Sequence, residues 1–272
     1  MRRAGGENFP VAMRILPPRL RRHLLAIYGF ARLVDQLGDD LEGDRDAALA
    51  ALEADVDRIY RGEEPRHEAI RPLPATIRAF AIPRGPFDRL IAANRQDQQV
   101  ESYRDWDELL AYCDLSANPV GELVLHVLRA ATPERIALSD AICTGLQLAE
   151  HWQDVREDLV ERGRVYVPED DRVHFGVTDA DLRAPVAAAN VRALVQELVD
   201  RARRLLDEGR PLLATLSGWG RIAVAGYVGG GYATLAAIER ADCDVLQGAP
   251  TASKTAKLRA ARKALRDAKE DL

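Results

Sequence analysis

Asp35-Gln36-Leu37-Gly38-Asp39-Asp40 and Asp154-Val155-Arg156-Glu157-Asp158 each set two aspartates four residues apart. On an α-helix that spacing puts both carboxylates on one face, one turn apart, where like charges repel by about 0.2–0.5 kcal/mol in an isolated helix. A single such run is ordinary surface chemistry, since charged residues mostly lie outside. Two runs, each embedded in an apolar helical pattern, point to a site that needs concentrated negative charge.

Both stripes extend beyond the aspartates. Tyr28, Arg32, Asp35 and Asp39 fall at i, i+4, i+7 and i+11, and Gln147, Glu150, Asp154 and Asp158 at i, i+3, i+7 and i+11. Each set shares one helix face and carries groups suited to a metal or a phosphate rather than alternating ion pairs. Carboxylate oxygens are the hard ligands Mg²⁺ prefers, and Mg²⁺ commonly arrives with a diphosphate. Two facing acidic helices would hold a metal–diphosphate cluster between them; the competing reading is a pair of solvated acidic patches.

The elements that must position these residues read as helices nearly throughout. Pro17-Pro18 starts a helix over 18–42, in which Leu24, Leu25, Tyr28 and Leu33 supply the apolar spacing. Further helices are expected over 45–61, 66–82 and 86–98, the last two separated by Pro83-Arg84-Gly85-Pro86. Asp105 or Asp107 caps a helix through Tyr112, an apolar helix runs from Pro119 to Ala130, and Ser139 caps the helix of the second acidic run. Gly163-Arg164-Val165-Tyr166-Val167-Pro168 is a loop, and helices resume near 191–215 and 219–239. With no alternating strands and no repeat period, the pattern is that of one all-α domain. Thr251 to Leu272, rich in Ala, Lys and Arg with Leu258 and Leu265 a heptad apart, reads as a solvated, loosely docked helix. Gly229-Gly230-Gly231 has neither a preceding strand nor a Lys-Ser/Thr behind it, so it is a kink or a close helix contact rather than a phosphate loop.

Composition narrows the function. The chain has 272 residues, enough for a large core, with 47% hydrophobic residues and a net charge of −5 that gives no case for nucleic acid. Cys113, Cys143 and Cys243 are far apart and odd in number, as expected of reduced thiols in the cytoplasm. Arg2 and Arg3 are not followed by the apolar core of a signal peptide, and no apolar run approaches the ~20 residues of a membrane span. The expectation is a soluble cytoplasmic protein with no stable protein partner, which a greasy substrate draws to a membrane surface. Five scattered histidines show no zinc spacing; His151, beside Glu150, suits a core or supporting role better than a metal ligand. Ser116 and Ser217 lack the G-x-S-x-G setting of a nucleophile.

Several stretches together resemble one family. Glu7-Asn8-Phe9-Pro10-Val11-Ala12, Leu16-Pro17, Tyr28-Gly29-Phe30-Ala31-Arg32-Leu33-Val34-Asp35 through Asp40, Tyr112-Cys113 with Ser116-Ala117-Asn118-Pro119-Val120-Gly121, and Gln147 through Asp158 with Gly163 to Pro168 are similar to squalene/phytoene synthases. The likeness covers roughly residues 7–250 in consistent order, and its wording is nearest the hopanoid branch, which converts presqualene diphosphate and water into hydroxysqualene and diphosphate. It implies an isoprenoid-synthase fold around a central cavity, with Mg²⁺ held by Asp35, Asp39, Asp154 and Asp158. It places Tyr28, Arg32, Tyr112, Gln147 and Arg164 around the diphosphate, with Tyr166 near it. Ala117, Val120, Leu123, Val124 and Leu148 are then candidates for the cavity lining, and equally ordinary core residues.

The chain also departs from that pattern. Glu150 stands where many members have Asn, and would add a charged metal ligand; Gln36 stands where a second acid is common. Ser102, Glu122 and Tyr232 occupy positions where the hopanoid branch leads one to expect arginine, whose bidentate fork none of them reproduces. The acidic machinery is intact while its surroundings are altered. A second enzymatic reading is therefore transfer of a prenyl group from a shorter allylic diphosphate to a small acceptor, aromatic or not, in specialised metabolism. A non-catalytic isoprenoid-binding subunit is the third, and four retained motif aspartates argue against it.

Overall fold

The computed structural model describes residues 16–270; the Glu7–Ala12 stretch and the arginines at positions 2 and 3 lie outside the described residues. Among them the chain is built of helices joined by short turns, with one isolated parallel bridge, Ser102 to Val165, and no strand. α1 (Pro18–Asp35) begins as expected, with Pro17 before it and Pro18 at its first position, where a missing N–H costs nothing. α2 (Arg45–Tyr60) is capped by Asp44, whose Oδ1 accepts from the Ala47 N–H at 2.9 Å. α3 (Leu73–Phe80) and α4 (Gly85–Gln96) follow, so the helix expected over 66–82 is shorter and is preceded by a separate turn at Glu68–Ile70. The reason is Pro72, which cannot donate to a continuing helix, together with the main chain of Arg66 and His67 held on Asp55.

Asp105 rather than Asp107 caps α5 (Trp106–Ser116), accepting from the Glu108 N–H at 2.9 Å. α6 (Asn118–Val127) ends three residues before the expected Ala130, at the left-handed Arg129. α7 (Pro133–Glu157) is the 25-residue spine, capped by Thr132. Ser139 does not cap it: it lies buried within α7, against Gly121 of α6. Thr132 wins the cap because Pro133 is suited to the first helical position. α8 (Glu169–Phe175), α9 (Asp179–Leu182), α10 (Ala189–Gly209), α11 (Leu212–Thr215), α12 (Gly218–Arg240) and α13 (Lys254–Glu270) complete the described fold.

Burial of the apolar faces holds this together. One core gathers around α7, α10 and α12, with Trp152, Leu148 and Leu198 fully buried. A second lies between α1, α2, α4 and α6, where Phe30 meets Phe87 edge to face at 5.0 Å. Each such side chain contributes about 1.5–3 kcal/mol on leaving water. Leu123 and Leu148 are wholly core residues, and Val124 and Ala117 are buried as well.

Two expectations need correction. α13 is not loosely docked: Ala264 and Ala268 are buried, Arg210 reaches Asp267 at 3.7 Å, and a Cβ at Gly229 would run into the Ala261 main chain. The alanines form a smooth stripe that lies on the glycine run of α12, a close helix contact. The other concerns apolar length. α12 is long and apolar enough to cross a membrane, but 67% of that window is buried inside the protein, so its character is that of a core helix.

Candidate diphosphate and metal site

Both acidic runs leave α-helical geometry, the first directly after Asp35 and the second at Asp158. α1 passes into a π-helical turn, Gln36–Asp40, and α7 into another, Asp158–Arg162. The widened i→i+5 turn is uncommon and is associated with functional sites. It also shifts the face on which the later residues point, so Asp39 does not simply continue the α-helical stripe of Tyr28, Arg32 and Asp35. The first turn is locked from outside: Gln98 Nε2 donates to the Gly38 carbonyl at 2.8 Å and Arg45 Nη2 to the Asp39 carbonyl at 3.0 Å. Gly38 is needed there because any Cβ would overlap the Asn94 side chain of α4.

The two runs meet through arginines. Arg162 Nη1 lies 3.3 Å from Asp158 Oδ1 and its Nη2 3.9 Å from Asp39 Oδ2. Arg164 Nη1 donates to Asp39 Oδ1 at 3.1 Å, and its Nη2 to the Asp97 carbonyl oxygen at 2.9 Å. Gly163, in the left-handed region at φ 68°, turns the chain between the two arginines. Beyond it the Val165 N–H donates to the Glu101 carbonyl at 2.7 Å and fixes the loop.

Beneath Arg164 the site is aromatic. The Tyr112 hydroxyl donates to Asp97 Oδ2 at 3.0 Å, Tyr166 stacks on His151 at 3.6 Å between ring centroids, and Tyr103 and Tyr112 lie within 6 Å of Tyr166. Gln147 Nε2, able only to donate, sits 3.1 Å from His151 Nε2, which makes that nitrogen the acceptor. Burial, with Arg162 and Arg164 nearby, pushes His151 down to about 3, so it is a neutral supporting group. Burial lifts Asp158 to about 7, with Arg162 opposing and Asp154 and Glu157 adding to the rise. Asp97 rises to about 6 for the same first reason, against the pull of Arg164.

Asp39, Asp158, Arg164, Tyr112, Tyr166 and Gln147 are thus brought into one region. Arg32 and Asp35 form a 4.0 Å pair with half-exposed side chains at the end of α1, and Tyr28 is half-buried on the same helix. Glu150 is exposed and Asp154 half-buried on α7. Ala117 and Val120 stand where α5 passes into α6, Val120 packing on the second core. Asp97, Arg162, and the Arg45–Gln98 clamp were not legible as site residues. The one sequence signal was the pair of arginines flanking Gly163, directly after the second acidic run.

The positions expected to carry arginine are tied to local partners. Ser102 forms the bridge to Val165, Glu122 is ion-paired with Arg89 of α4, and the Tyr232 hydroxyl donates to Asp207 Oδ1 at 2.5 Å.

Among the described residues no three carboxylate, imidazole or thiol groups converge closely enough to share one ion. The donor set nevertheless suits a hard divalent cation in kind. Asp35, Asp39, Glu150, Asp154 and Asp158 are all oxygen donors, and two of them already draw guanidinium groups into the site.

The family model described as squalene/phytoene synthase matches residues 2–260. A hydroxysqualene synthase of Rhodopseudomonas palustris is 37% identical over 211 residues, which are 77% of this chain and 71% of that protein. The crystal structure of squalene synthase HpnC from Alicyclobacillus acidocaldarius superposes with a TM-score of 0.83 at 44% identity, covering 89% of this chain and 91% of that one. A dehydrosqualene synthase solved with a ligand superposes at a TM-score of 0.88 over 98% and 93% of the two chains, and at 23% identity shows likeness of fold.

Proposed function

The chain belongs to the squalene/phytoene synthase family and is an isoprenoid synthase of the prenyl-diphosphate class, and from that premise we propose that it ionises presqualene diphosphate and lets water capture the cation, giving hydroxysqualene and diphosphate. The observation that carries this reading is the meeting of the two acidic runs through Arg162 and Arg164.

Leaving diphosphate accumulates negative charge, and neutralising that charge is the largest service a site of this kind can perform. Asp35, Asp39, Asp154 and Asp158, with Glu150 beside them, would hold Mg²⁺, which supplies a Lewis-acidic charge to the diphosphate oxygens. Arg164 offers a planar donor fork, and Arg32 a second cation at the mouth. Tyr28 and Gln147 supply directional hydrogen bonds to the same group, and Tyr112, whose one hydroxyl proton goes to Asp97, stands beside it. Tyr166, stacked on the neutral His151, closes the floor with an aromatic surface that excludes water from the diphosphate side. The prenyl chains would run toward the apolar side of α5 and α6, past Ala117 and Val120. The cysteine usage and the greasy substrate support a reducing compartment and work at the surface of a membrane.

Glu122 favours a second reading. In place of the expected arginine it brings a carboxylate, answered by Arg89, to α6, the helix that carries Val120. That change suits a shorter allylic diphosphate whose prenyl group passes to a small acceptor, aromatic or not.

One experiment separates the two. Purified protein is incubated with Mg²⁺ and presqualene diphosphate, with an EDTA control, and in parallel with dimethylallyl, geranyl and farnesyl diphosphates and an acceptor; products are read by mass spectrometry. Metal-dependent hydroxysqualene is the expected result. Consumption of a shorter diphosphate only, with prenylated acceptor, would replace the first reading by the second.

A further inference from the structure

Asp97 belongs to neither acidic run. It is the residue on which α4 ends, its N–H still bonded to the Ala93 carbonyl. Its side chain is 9% exposed. Two groups of the site converge on it. The Tyr112 hydroxyl donates to Oδ2, and Arg164 holds both its main-chain carbonyl and, at 3.6 Å from Nη1, its carboxylate. The remaining carboxylate oxygen, Oδ1, is buried without a hydrogen-bond partner. Keeping such a group in the interior costs several kcal/mol before pairing, so a purely structural role is a poor use of it.

Asp39 is held differently. Arg164 reaches both carboxylates, but the Asp39 side chain is 26% exposed and belongs to the run that would receive a cation. Its main-chain carbonyl is taken by Arg45, not by Arg164. Of the two anchors of Arg164, one is exchangeable and the other is partly backbone, which cannot swing away.

Resting on the diphosphate-site reading above, we infer that Asp97, itself steadied by the Tyr112 hydroxyl, is a positioning residue that fixes the Arg164 guanidinium toward the diphosphate, so that Arg164 keeps its place when Asp39 turns to another cation. This role has a sign that separates it from plain charge. An acid near a bound anion repels it, so neutralising Asp97 should tighten anion binding if charge were all that mattered. If Asp97 sets the geometry of the Arg164 donors, neutralising it weakens binding, since misplacement by about 1 Å can cost a factor on the order of a hundred.

The test is calorimetric titration of the full chain with inorganic pyrophosphate, with and without Mg²⁺, for wild type, Asp97→Asn, Arg164→Lys and the double variant, with circular dichroism as the check on folding. Asp97→Asn is expected to weaken pyrophosphate binding roughly tenfold or more. The double variant should lose less than the sum of the singles, because Asp97 acts through Arg164. Unchanged or tighter binding by Asp97→Asn, or strict additivity, would overturn the inference. Asp97→Glu, which keeps the charge and moves the carboxylate, serves where Asp97→Asn does not fold: a severalfold loss supports positioning, and wild-type affinity overturns it. A wild-type protein that does not bind pyrophosphate at all removes the diphosphate-site reading itself, and this inference falls with it.

Discussion

Asp39 and Asp158 share one guanidinium: Arg162 stands 3.3 Å from the Asp158 carboxylate and 3.9 Å from that of Asp39. One aspartate comes from the turn after α1 and the other from the turn after α7, so Arg162 ties the two halves of the acidic site together. The pairing of the two runs is therefore a property of the folded chain rather than of spacing alone.

The aspartates outside this ion-paired group are the first to test. Asp35→Asn and Asp154→Asn should each lower turnover of a prenyl diphosphate by a factor on the order of 10²–10³, the usual effect of removing one electrostatic contributor from such a site. The helical circular dichroism should not change, since neither side chain is buried in a core. Full Mg²⁺-dependent turnover by either variant would rule these residues out as part of the machinery.

Arg32 separates binding from stability. Its pair with Asp35 is a 4.0 Å contact between half-exposed side chains, and such pairs contribute about 0–1 kcal/mol. Arg32→Ala should accordingly leave the denaturation midpoint almost unmoved while raising KM for the diphosphate substrate. An unchanged KM would place Arg32 outside the diphosphate site.

Asp158 carries a pH signature. Its folded pKa, about 7, is raised above the ordinary aspartate value, so the folded state holds the proton more tightly than the unfolded one. The associated stability is fully present below about pH 4 and is lost as pH rises toward 7, by at most about 1.4 kcal/mol for each pH unit crossed. Thermal unfolding in EDTA should show wild type declining between about pH 4 and pH 7 more steeply than Asp158→Asn. Parallel pH profiles for the two would contradict the raised pKa.

Most of the helical scaffold was legible in the sequence. α7 announces itself through its apolar spacing, α1 through Pro17-Pro18, and the loop after the second run through Gly163 and Pro168. The π-helical turns were not, because one widened turn leaves the i, i+4 pattern of Asp35 and Asp39 unchanged on paper while moving the face on which Asp39 lies. Asp97 was hidden for another reason: it falls at the end of the helix expected over 86–98, where an acid reads as solvated, and acquires its partners only from Tyr112 and Arg164 farther along the chain. The docking of α13 was masked by its charges, since the buried alanine stripe carries no strong hydrophobic signal.

Gly38 offers a test of the first π-helical turn. A methyl group there would overlap the Asn94 side chain, and overpacking of this kind costs typically about 1–3 kcal/mol. Gly38→Ala should lower the unfolding free energy by that order, and Gly38→Ala with Asn94→Ala should recover part of the loss, the two sites being in contact. Strict additivity in denaturant titrations would show that the turn does not depend on this close approach.

Glu122 poses the remaining question, whether its carboxylate was accommodated by a compensating change. Its partner Arg89 comes from α4, and the neighbouring Asp140 of α7 is lifted to about 6, first by burial and then by Asp114, with Arg89 pulling the other way. Arg89→Glu would leave Glu122 without its ion-pair partner and Asp140 without the cation that draws its proton off. Removing one partner of such a part-buried pair costs more than the pair contributes, because the charge left behind is uncompensated. Glu122→Arg would set two guanidinium groups side by side. Each single substitution should therefore destabilise the fold, and the exchange of both charges should restore most of the loss, giving a coupling energy on the order of 1–3 kcal/mol in a double-mutant cycle. If the exchanged protein also turns over presqualene diphosphate faster than wild type, the carboxylate at position 122 bears on substrate choice. Restored stability with unchanged turnover would make it a tolerated swap of partners, and absence of coupling would show that Arg89 and Glu122 do not depend on each other.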